Sequence, residues 1–309
     1  MPPRPAPVPL SKAIKRLVTR GLVAAHLPAV YLLPLPALRL AAGALGTLVC
    51  SLSFRRRALM DRNLRAAFGD ELQAADRRAI QRASVVNVAK TMAEFLKLPW
   101  ISDAKLQELV LVEGLEHMDE ALAEGRGVLV ITAHFGNWEL GGALLSVKGY
   151  PMNVVARDAT DPLIGTLFDR ARRSKGTRVF GRWDGRALLR ALRDNQLVAI
   201  LPDQHAAEGA VRATFLGRPA DTAVGPATFH LRTGAPIVPV FTYRRPDDRI
   251  LLRIMPPLRV APTGDRPADT LAITQLLNDI IGQQIRDNPE QWLWLHNRWK
   301  ADPDNGERT

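Results

Sequence analysis

From Gly127 onward, short apolar runs alternate with stretches of helical spacing, and this alternation constrains the fold more than any other feature of the chain. The runs are rich in β-branched residues, as buried strands are. Alternating strands and helices predict an α/β fold, with a mostly parallel, twisted sheet flanked by helices. The predicted strands lie at 127–132, 151–156, 178–180, 197–201, 237–242 and 250–254, with helices at 137–147, 162–174 and 185–194.

Upstream of the alternating region the pattern is helical. Apolar residues at helical spacing predict helices at 56–69, 74–98, 102–111 and 116–124, and a long helix follows the last strand at 267–286. We therefore divide the chain into three parts. These are a basic, apolar, membrane-associated segment at 1–60, a main domain at 61–300 and a polar tail at 301–309.

The positive charge of the chain, formally +11, belongs to its first hundred residues, which hold 16 Lys and Arg but only 5 Asp and Glu. The remaining residues hold 26 of each. Two long uncharged stretches, 21–38 and 40–54, lie within this basic region. Basic flanks around apolar helices suit anionic lipid headgroups, whereas a nucleic-acid-binding arm seldom interleaves its charges with so much Leu, Ala and Val. We expect an anionic membrane as a partner and no nucleic acid.

The first uncharged stretch is close to the length of a membrane span, but Pro28, Pro34 and Pro36 interrupt it. We therefore favour a membrane-embedded or interfacial helical hairpin over a regular single span. Two alternatives stay open. One is a buried N-terminal helix pair of a soluble protein. The other is a cleaved signal peptide, which the lack of a clean small-residue cleavage site disfavours.

Several enzyme classes are disfavoured by motifs that the sequence lacks. It has no GxSxG elbow, no Walker loop, no GxGxxG after a strand and no HExxH, which argues against serine hydrolases, nucleotide-dependent enzymes and zinc peptidases. The single cysteine, Cys50, rules out an internal disulfide and a cysteine-cluster metal site. It lies in an apolar run where an inert buried thiol is expected. We expect no cofactor and no metal.

His134 closes the first predicted strand, and Glu139 follows in the first turn of the next helix. On one continuous helix, residues five apart point away from each other, but across a strand–turn–helix corner they can pair. A carboxylate that accepts from one imidazole nitrogen leaves the other free to act as a base. The alternative is a loop histidine beside a glutamate that favours the helix dipole.

The sequence around His134 resembles a known family. HFGNWE after a strand, preceded by a basic apolar N-terminus, is similar to the HxxxxD/E signature of the lysophospholipid acyltransferase superfamily. The resemblance is to the bacterial late acyltransferases of lipid A biosynthesis, the lauroyl and myristoyl transferases. It extends over roughly 40–300, through RNLRAAFG at 62–69, the block at 112–139, LPDQ at 201–204, TFLGRPA at 214–220, GAPIVPVF at 234–241 and PEQWLWLHNRWK at 289–300.

The resemblance implies that 61–300 is an acyltransferase domain at the cytoplasmic face of the inner membrane. It implies transfer of a fatty acyl chain from a carrier thioester, usually of acyl carrier protein and sometimes of coenzyme A, to a hydroxyl of a phosphorylated lipid A precursor. His134 would remove the proton of the hydroxyl, and Glu139 would orient the imidazole. The nucleophile then belongs to the substrate, which explains why the chain needs no serine elbow.

Four further residues are candidates for substrate binding. Arg157 and the pair Asp203 and Gln204 follow predicted strands, so they can share a sheet edge with His134. Arg157 is a candidate for binding a phosphate of the substrate, and Arg218 is a second one. For each of the four residues, a purely structural role stays open. The acceptor is not encoded in any motif, so another glycolipid or lysophospholipid, such as a phosphatidylinositol mannoside or an ornithine lipid, is the alternative. A non-catalytic membrane-binding protein is a third hypothesis, which the His134/Glu139 pair disfavours.

Overall fold

A seven-stranded sheet forms the centre of the computed structural model, which describes residues 20–21, 27–156, 161–181 and 183–300. Its strands lie in the order β1-β9-β8-β2-β5-β3-β4, and a separate hairpin consists of β6 and β7. The strands are β1 Val110–Glu113, β2 Val128–Ile131, β3 Met152–Ala156, β4 Arg178–Gly181, β5 Leu197–Ile200, β6 Ala210–Phe215, β7 Arg218–Ala223, β8 Ile237–Arg244 and β9 Ile250–Ile254.

Helices cover both faces of this sheet. Those with full bounds in the described part of the chain are α1 Leu35–Leu52, α2 Phe54–Phe68, α3 Ala74–Lys97, α4 Asp103–Leu109, α5 Leu115–Ala123, α6 Trp138–Val147, α7 Pro162–Arg173, α8 Gly185–Arg193, α9 Gly225–Thr233 and α10 Arg266–Asp287. The predicted strands and helices from Gly127 to residue 200 all form, with ends that shift by a few residues.

The sheet is mostly parallel, as the alternation of strands and helices predicts. Strands β8, β2, β5, β3 and β4 run parallel, while β9 pairs antiparallel with β8, and β1 runs parallel to β9. The expected α/β class is therefore confirmed. Because β2 and β5 are parallel neighbours, the residues that follow Ile131 and Ile200 emerge at the same edge of the sheet.

Two hydrophobic cores lie on opposite faces of the sheet, since alternate residues of each strand point to opposite sides. In β2, Val128 and Val130 belong to one core and Leu129 and Ile131 to the other. We call the first the α6-side core, because it contains the buried residues of α6. The second is the α8-side core, which contains the buried residues of α8 and the C-terminal tryptophans.

Helix α1 packs lengthwise on α3. Gly46 allows the close approach, because an added Cβ would lie 2.7 Å from the Cβ of Ala89. Pro34 is the N-cap of α1, and Pro36 lies in its first turn, where a missing N–H is tolerated. Among the described residues α1 is the one helix long and apolar enough to cross a membrane, with a mean hydropathy of 1.6 and 17% of its window buried.

The predicted N-terminal hairpin lies only partly within the described residues, since 1–19 and 22–26 fall outside them. The predicted boundary near residue 60 falls inside α2, where Met60 is fully buried. The division into three parts stays a prediction, and the proposed tail at 301–309 lies outside the described residues.

Candidate active site

A tight corner between β2 and α6 carries His134. Asn137 caps the helix, because its side-chain oxygen accepts a hydrogen bond from the backbone N–H of Leu140. Gly136 has a φ of +59°, and a Cβ at this position would lie 1.7 Å from the carbonyl oxygen of Thr242. Only glycine fits both the conformation and the space, so the corner is held in one shape.

His134 is paired with Asp203, which follows the neighbouring strand β5. The Nδ1 atom of the imidazole lies 2.9 Å from Oδ1 of Asp203, and the backbone N–H of His134 donates to Oδ2 at 3.0 Å. Trp292, from the C-terminal segment, donates its indole N–H to the same Oδ2 at 2.8 Å. The carboxylate is 1% exposed, so these three contacts replace its water.

The charges of the pair stabilise each other. Burial raises the pKa of Asp203, but the charge of His134 and the hydrogen bonds from His134 and Trp292 lower it by more, so that the net shift is downward. Burial lowers the pKa of His134, but the charge and hydrogen bond of Asp203 raise it by more. An ionised carboxylate can only accept, so Nδ1 of the neutral imidazole carries the proton and Nε2 keeps its lone pair.

The free nitrogen of His134 faces a cavity. Its side chain is 24% exposed, and Nε2 lies 3.5 Å from the amide nitrogen of Gln204, at the outer limit of a hydrogen bond. The ring of Trp138 stands edge-to-face against the imidazole, with 5.1 Å between centroids. The structure thus assembles His134, Asp203 and Gln204 at one sheet edge and leaves one imidazole nitrogen available as a base.

The expected pairing of His134 with Glu139 is corrected by the structure. The carboxylate of Glu139 instead accepts two hydrogen bonds from Arg172 of α7, at 2.6 and 3.1 Å, and a third from the indole N–H of Trp138. The reason is geometric. Asp203 emerges beside His134 from a parallel neighbouring strand, whereas Glu139, in the first turn of α6, reaches α7. Glu139 still lines the cavity, and its charge contributes to the raised pKa of His134.

The two other predicted substrate-binding residues are Arg157 and Arg218. Arg157 lies outside the described residues. Arg218 begins β7 and pairs with Phe215 in the β6–β7 hairpin, and it is not among the residues that line the cavity. The carboxylate of Asp203 accepts hydrogen bonds from His134 and Trp292, and Asp203 is not among the residues that line the cavity. Asp203 therefore contacts the base, where the sequence predicted a contact to the substrate.

An apolar cavity of about 760 Å³ opens at the carboxyl ends of β2, β3 and β5. His134, Glu139, Arg172 and Gln204 form its polar part, and Val130, Met152, Phe95 and Phe168 are among its apolar walls. A pocket of this size and polarity suits a long apolar ligand that reacts at one end.

The C-terminal segment closes the back of the site. Trp292, Trp294 and Trp299 are each no more than 1% exposed, so all three pack in the core, and Trp292 also donates to Asp203. The backbone N–H of Leu293 donates to the carbonyl of His134 at 3.0 Å. Sequence reasoning missed Trp292 and Arg172 as parts of the site. The clustering of tryptophans near residue 292 was the only sequence signal for Trp292, and no local sequence pattern marks Arg172.

The comparisons with known proteins agree with this geometry. The family model described as bacterial lipid A biosynthesis acyltransferase matches residues 10–301. The chain belongs to this family. It is 29% identical to the lipid A biosynthesis lauroyltransferase of Escherichia coli over 88% of each chain, and 27% identical to the palmitoleoyltransferase of the same organism over 88% of this chain and 87% of the relative.

Another relative of this acyltransferase carries a different name. The chain is 28% identical to the phosphatidylinositol mannoside acyltransferase of Mycolicibacterium smegmatis over 72% of each chain. Lipid A and phosphatidylinositol mannosides are both glycolipids. Family membership and these relatives together support acyl transfer to a glycolipid, as the resemblance of the sequence implied.

Proposed function

We propose that this protein is an O-acyltransferase that moves a fatty acyl chain from a carrier thioester to a hydroxyl of a lipid A precursor. One observation carries the proposal: His134, whose Nδ1 is held by the buried carboxylate of Asp203, lines an apolar cavity of about 760 Å³ and leaves Nε2 for the substrate. A base beside an apolar cavity suits a reaction between a substrate hydroxyl and the thioester end of a fatty chain.

In the proposed mechanism, Nε2 of His134 removes the proton of the acceptor hydroxyl as its oxygen attacks the thioester carbonyl. The tetrahedral intermediate then collapses, the carbon–sulfur bond breaks, and the imidazolium returns the proton to the leaving thiolate. Asp203 orients the imidazole and stabilises the imidazolium, as the acid of a Ser-His-Asp triad does. Its upward effect on the pKa of His134 favours the protonated state that this step requires.

The apolar cavity is suited to the acyl chain. Each buried methylene contributes roughly 0.8 kcal/mol, so a fatty chain gains enough to hold its thioester carbon beside His134. Glu139 and Arg172 neutralise each other on the wall of the cavity, and we propose that this pair fixes α6 against α7 around the chain. The donor carrier, acyl carrier protein or coenzyme A, stays outside the cavity in this arrangement.

We propose that the enzyme works at the cytoplasmic face of the inner membrane. Leu40, Leu48 and Leu52 of α1 and the following Phe54 are exposed, and Arg55–Arg57 come directly after them. An apolar helix face followed by three arginines suits an anionic membrane surface. Arg39 of the same helix is buried and paired with Glu94 of α3, which keeps α1 attached to the domain.

A second candidate function is acyl transfer to another glycolipid or a lysophospholipid. The observation that favours it is the similarity to phosphatidylinositol mannoside acyltransferases, since the His134 site itself does not encode the acceptor. Lipid mass spectrometry of a deletion strain separates the two candidates. Loss of one secondary acyl chain from lipid A supports the first, and an unchanged lipid A overturns it.

The proposed chemistry is tested with purified protein, a lipid A precursor and a series of acyl carrier thioesters. We expect transfer by the wild-type protein and a loss of about 10²–10⁴-fold in His134→Ala, because general-base catalysis contributes that much. His117→Ala, on α5 and away from the cavity lining, is the matched control. Wild-type activity in folded His134→Ala would remove the base from the mechanism.

A further inference from the structure

A second cavity lies between α1, α3 and the turn that joins β8 to β9. Its volume is about 360 Å³, and among the described residues it shares no lining residue with the cavity at His134. Its charged lining residues are Arg39 of α1, Lys90 of α3 and Asp248 of the turn. The uncharged lining residues are Pro36, Leu40, Gly43, Ala44, Thr47 and Val86. The proposed acyl transfer uses none of these side chains.

The guanidinium of Arg39 carries a donor that the protein does not use. Its Nε donates to Glu94, but its Nη2 is buried and has no hydrogen-bond partner among the described residues. Arg39 as a whole is 6% exposed. Buried donors are usually paired, because a buried donor without a partner destabilises the fold. An oxygen atom of a ligand in the adjoining cavity would supply the missing partner.

The charges around this cavity leave an excess of one positive charge. Lys90 donates to both carboxylate oxygens of Asp248, at 2.8 and 2.9 Å. Glu94 accepts from both Arg39 and Arg244, and the guanidinium of Arg244 also contacts Asp248 at 3.5 Å. Three cations therefore share two carboxylates. The excess favours an anionic ligand, and the planar fork of a guanidinium fits the oxygens of a phosphate.

The cavity adjoins the apolar stripe of α1 that we propose to contact the membrane. Leu40, Ala44, Leu48 and Leu52 are spaced four apart, so they follow one another along the same side of the helix. All four are exposed, and the first two also line the cavity. A lipid chain that lies along this stripe would bring its headgroup to the cations of the cavity. Inorganic phosphate would meet the same cations but gain nothing from the leucines.

We propose that this cavity binds the phosphate of a membrane phospholipid. Arg39 and Lys90 hold the phosphate, and the stripe from Leu40 to Leu52 takes a hydrocarbon chain of the same lipid. The lipid is bound here and is not a substrate, because the site is separate from His134. It fixes α1, and with it the domain, at the depth of the phosphates in the bilayer. The inference concerns binding alone and does not depend on acyl transfer.

Two alanines of α1 offer a matched pair of variants. Ala41 and Ala44 are both exposed, but only Ala44 lines the cavity. Ala44→Leu fills the cavity, whereas Ala41→Leu adds the same apolar volume to the helix outside it. Arg39→Lys keeps a positive charge beside Glu94 but removes the fork of the guanidinium. Thermal unfolding of all three variants checks that each one is folded.

The experiment measures lipid retention by native mass spectrometry of the full chain released from maltoside micelles. Each protein is offered equal amounts of phosphatidylglycerol and of diacylglycerol with the same chains, and separately inorganic phosphate. We expect the wild-type protein to retain one phosphatidylglycerol in preference to diacylglycerol. We expect Ala44→Leu and Arg39→Lys to bind it about ten-fold or more weakly, because one hydrogen bond to a charged group contributes that much. Ala41→Leu should bind it as the wild type does.

Equal retention of diacylglycerol and phosphatidylglycerol by the wild type would overturn the inference, because the phosphate would then not be recognised. Equal losses in Ala44→Leu and Ala41→Leu would do the same, since they would reflect contact of α1 with lipid in general. Undiminished binding in Ala44→Leu would place the lipid elsewhere, and retention of inorganic phosphate alone would make this a site for the free anion. Failure of the proposed function has a different signature, since a protein without acyl transfer would still show the expected pattern of lipid retention.

Discussion

Nδ1 of His134 lies 2.9 Å from Oδ1 of Asp203, a residue 69 positions further along the chain. The contact joins the ends of two parallel neighbouring strands, and the same carboxylate accepts from Trp292 and from the backbone of His134. Asp203 is thus held by three donors before any substrate arrives. The orientation of the His134 imidazole therefore depends on the pairing of β2 with β5 in the sheet rather than on the local corner between β2 and α6.

Replacing Asp203 with Asn is expected to abolish most activity without unfolding the protein. The Asn oxygen can still accept from Trp292 and the backbone, which turns its NH₂ group toward Nδ1 of His134. Nδ1 must then accept, Nε2 carries the proton, and the base is lost. By analogy with the buried acid of a triad, we expect a loss in kcat of about 10²–10⁴-fold, no larger than the loss in His134→Ala. Acyl transfer measured across pH checks this, since loss of the charge also lowers the pKa of His134 and moves the remaining activity to lower pH.

Glu139→Gln is the matched comparison for Asp203→Asn. Both changes remove one carboxylate charge near His134, but only Asp203 contacts the ring. We expect Glu139→Gln to shift the pH profile less than Asp203→Asn and to reduce the melting temperature, because Arg172 loses its charged partner. A larger shift of the pH profile in Glu139→Gln would mean that Glu139 holds the base during turnover.

Trp292 is expected to act through Asp203. Trp292→Phe removes the indole donor to Oδ2 while keeping an aromatic ring in the core. One hydrogen bond to a charged group contributes about 1.5–3 kcal/mol, so we expect kcat to be lower by about 10- to 150-fold and the KM for the donor to be unchanged. Trp294→Phe is the control, because its indole donates to the carbonyl of Pro289 instead. Equal losses of kcat in both variants would point to packing alone.

The sequence predicted the part of the site that is local in the chain. An apolar run followed by a helical pattern indicated the corner that carries His134, and the strand before Asp203 put that residue at the same sheet edge. The partner of the imidazole could not be found this way, because the order of the strands in the sheet is set by long-range packing. The hairpin of β6 and β7 was missed for a related reason: Pro219, Arg212 and Arg218 break the apolar pattern on which strand prediction depends.

Glu94 is expected to be a main determinant of stability. It is fully buried in α3 and accepts from Arg39 of α1, from both terminal nitrogens of Arg244 and from the side chain of Asn137. Glu94→Gln removes the charged partner of buried Arg39 and leaves buried Arg244 only its longer contact to Asp248 at 3.5 Å, so we expect a loss of about 3–5 kcal/mol in the free energy of unfolding. Arg39→Met should cost less, because the pair of Glu94 and Arg244 remains. Denaturant unfolding of both variants checks this order, and the reverse order would contradict it.

His296 is expected to make the fold sensitive to acid. Its Nε2 accepts from the backbone N–H of His205 at 3.0 Å, so the ring is unprotonated there, and burial lowers the pKa of His296 to about 4. Between the ordinary pKa of 6.5 and about 4, the unfolded chain binds a proton that the folded protein does not, so stability falls as the pH falls through this window. The expected loss is about 3 kcal/mol. His296→Gln keeps an acceptor for His205 but does not titrate, so its free energy of unfolding should fall less over the same range. If denaturant titrations show that the free energy of unfolding falls equally with pH in wild type and His296→Gln, other groups cause the acid sensitivity.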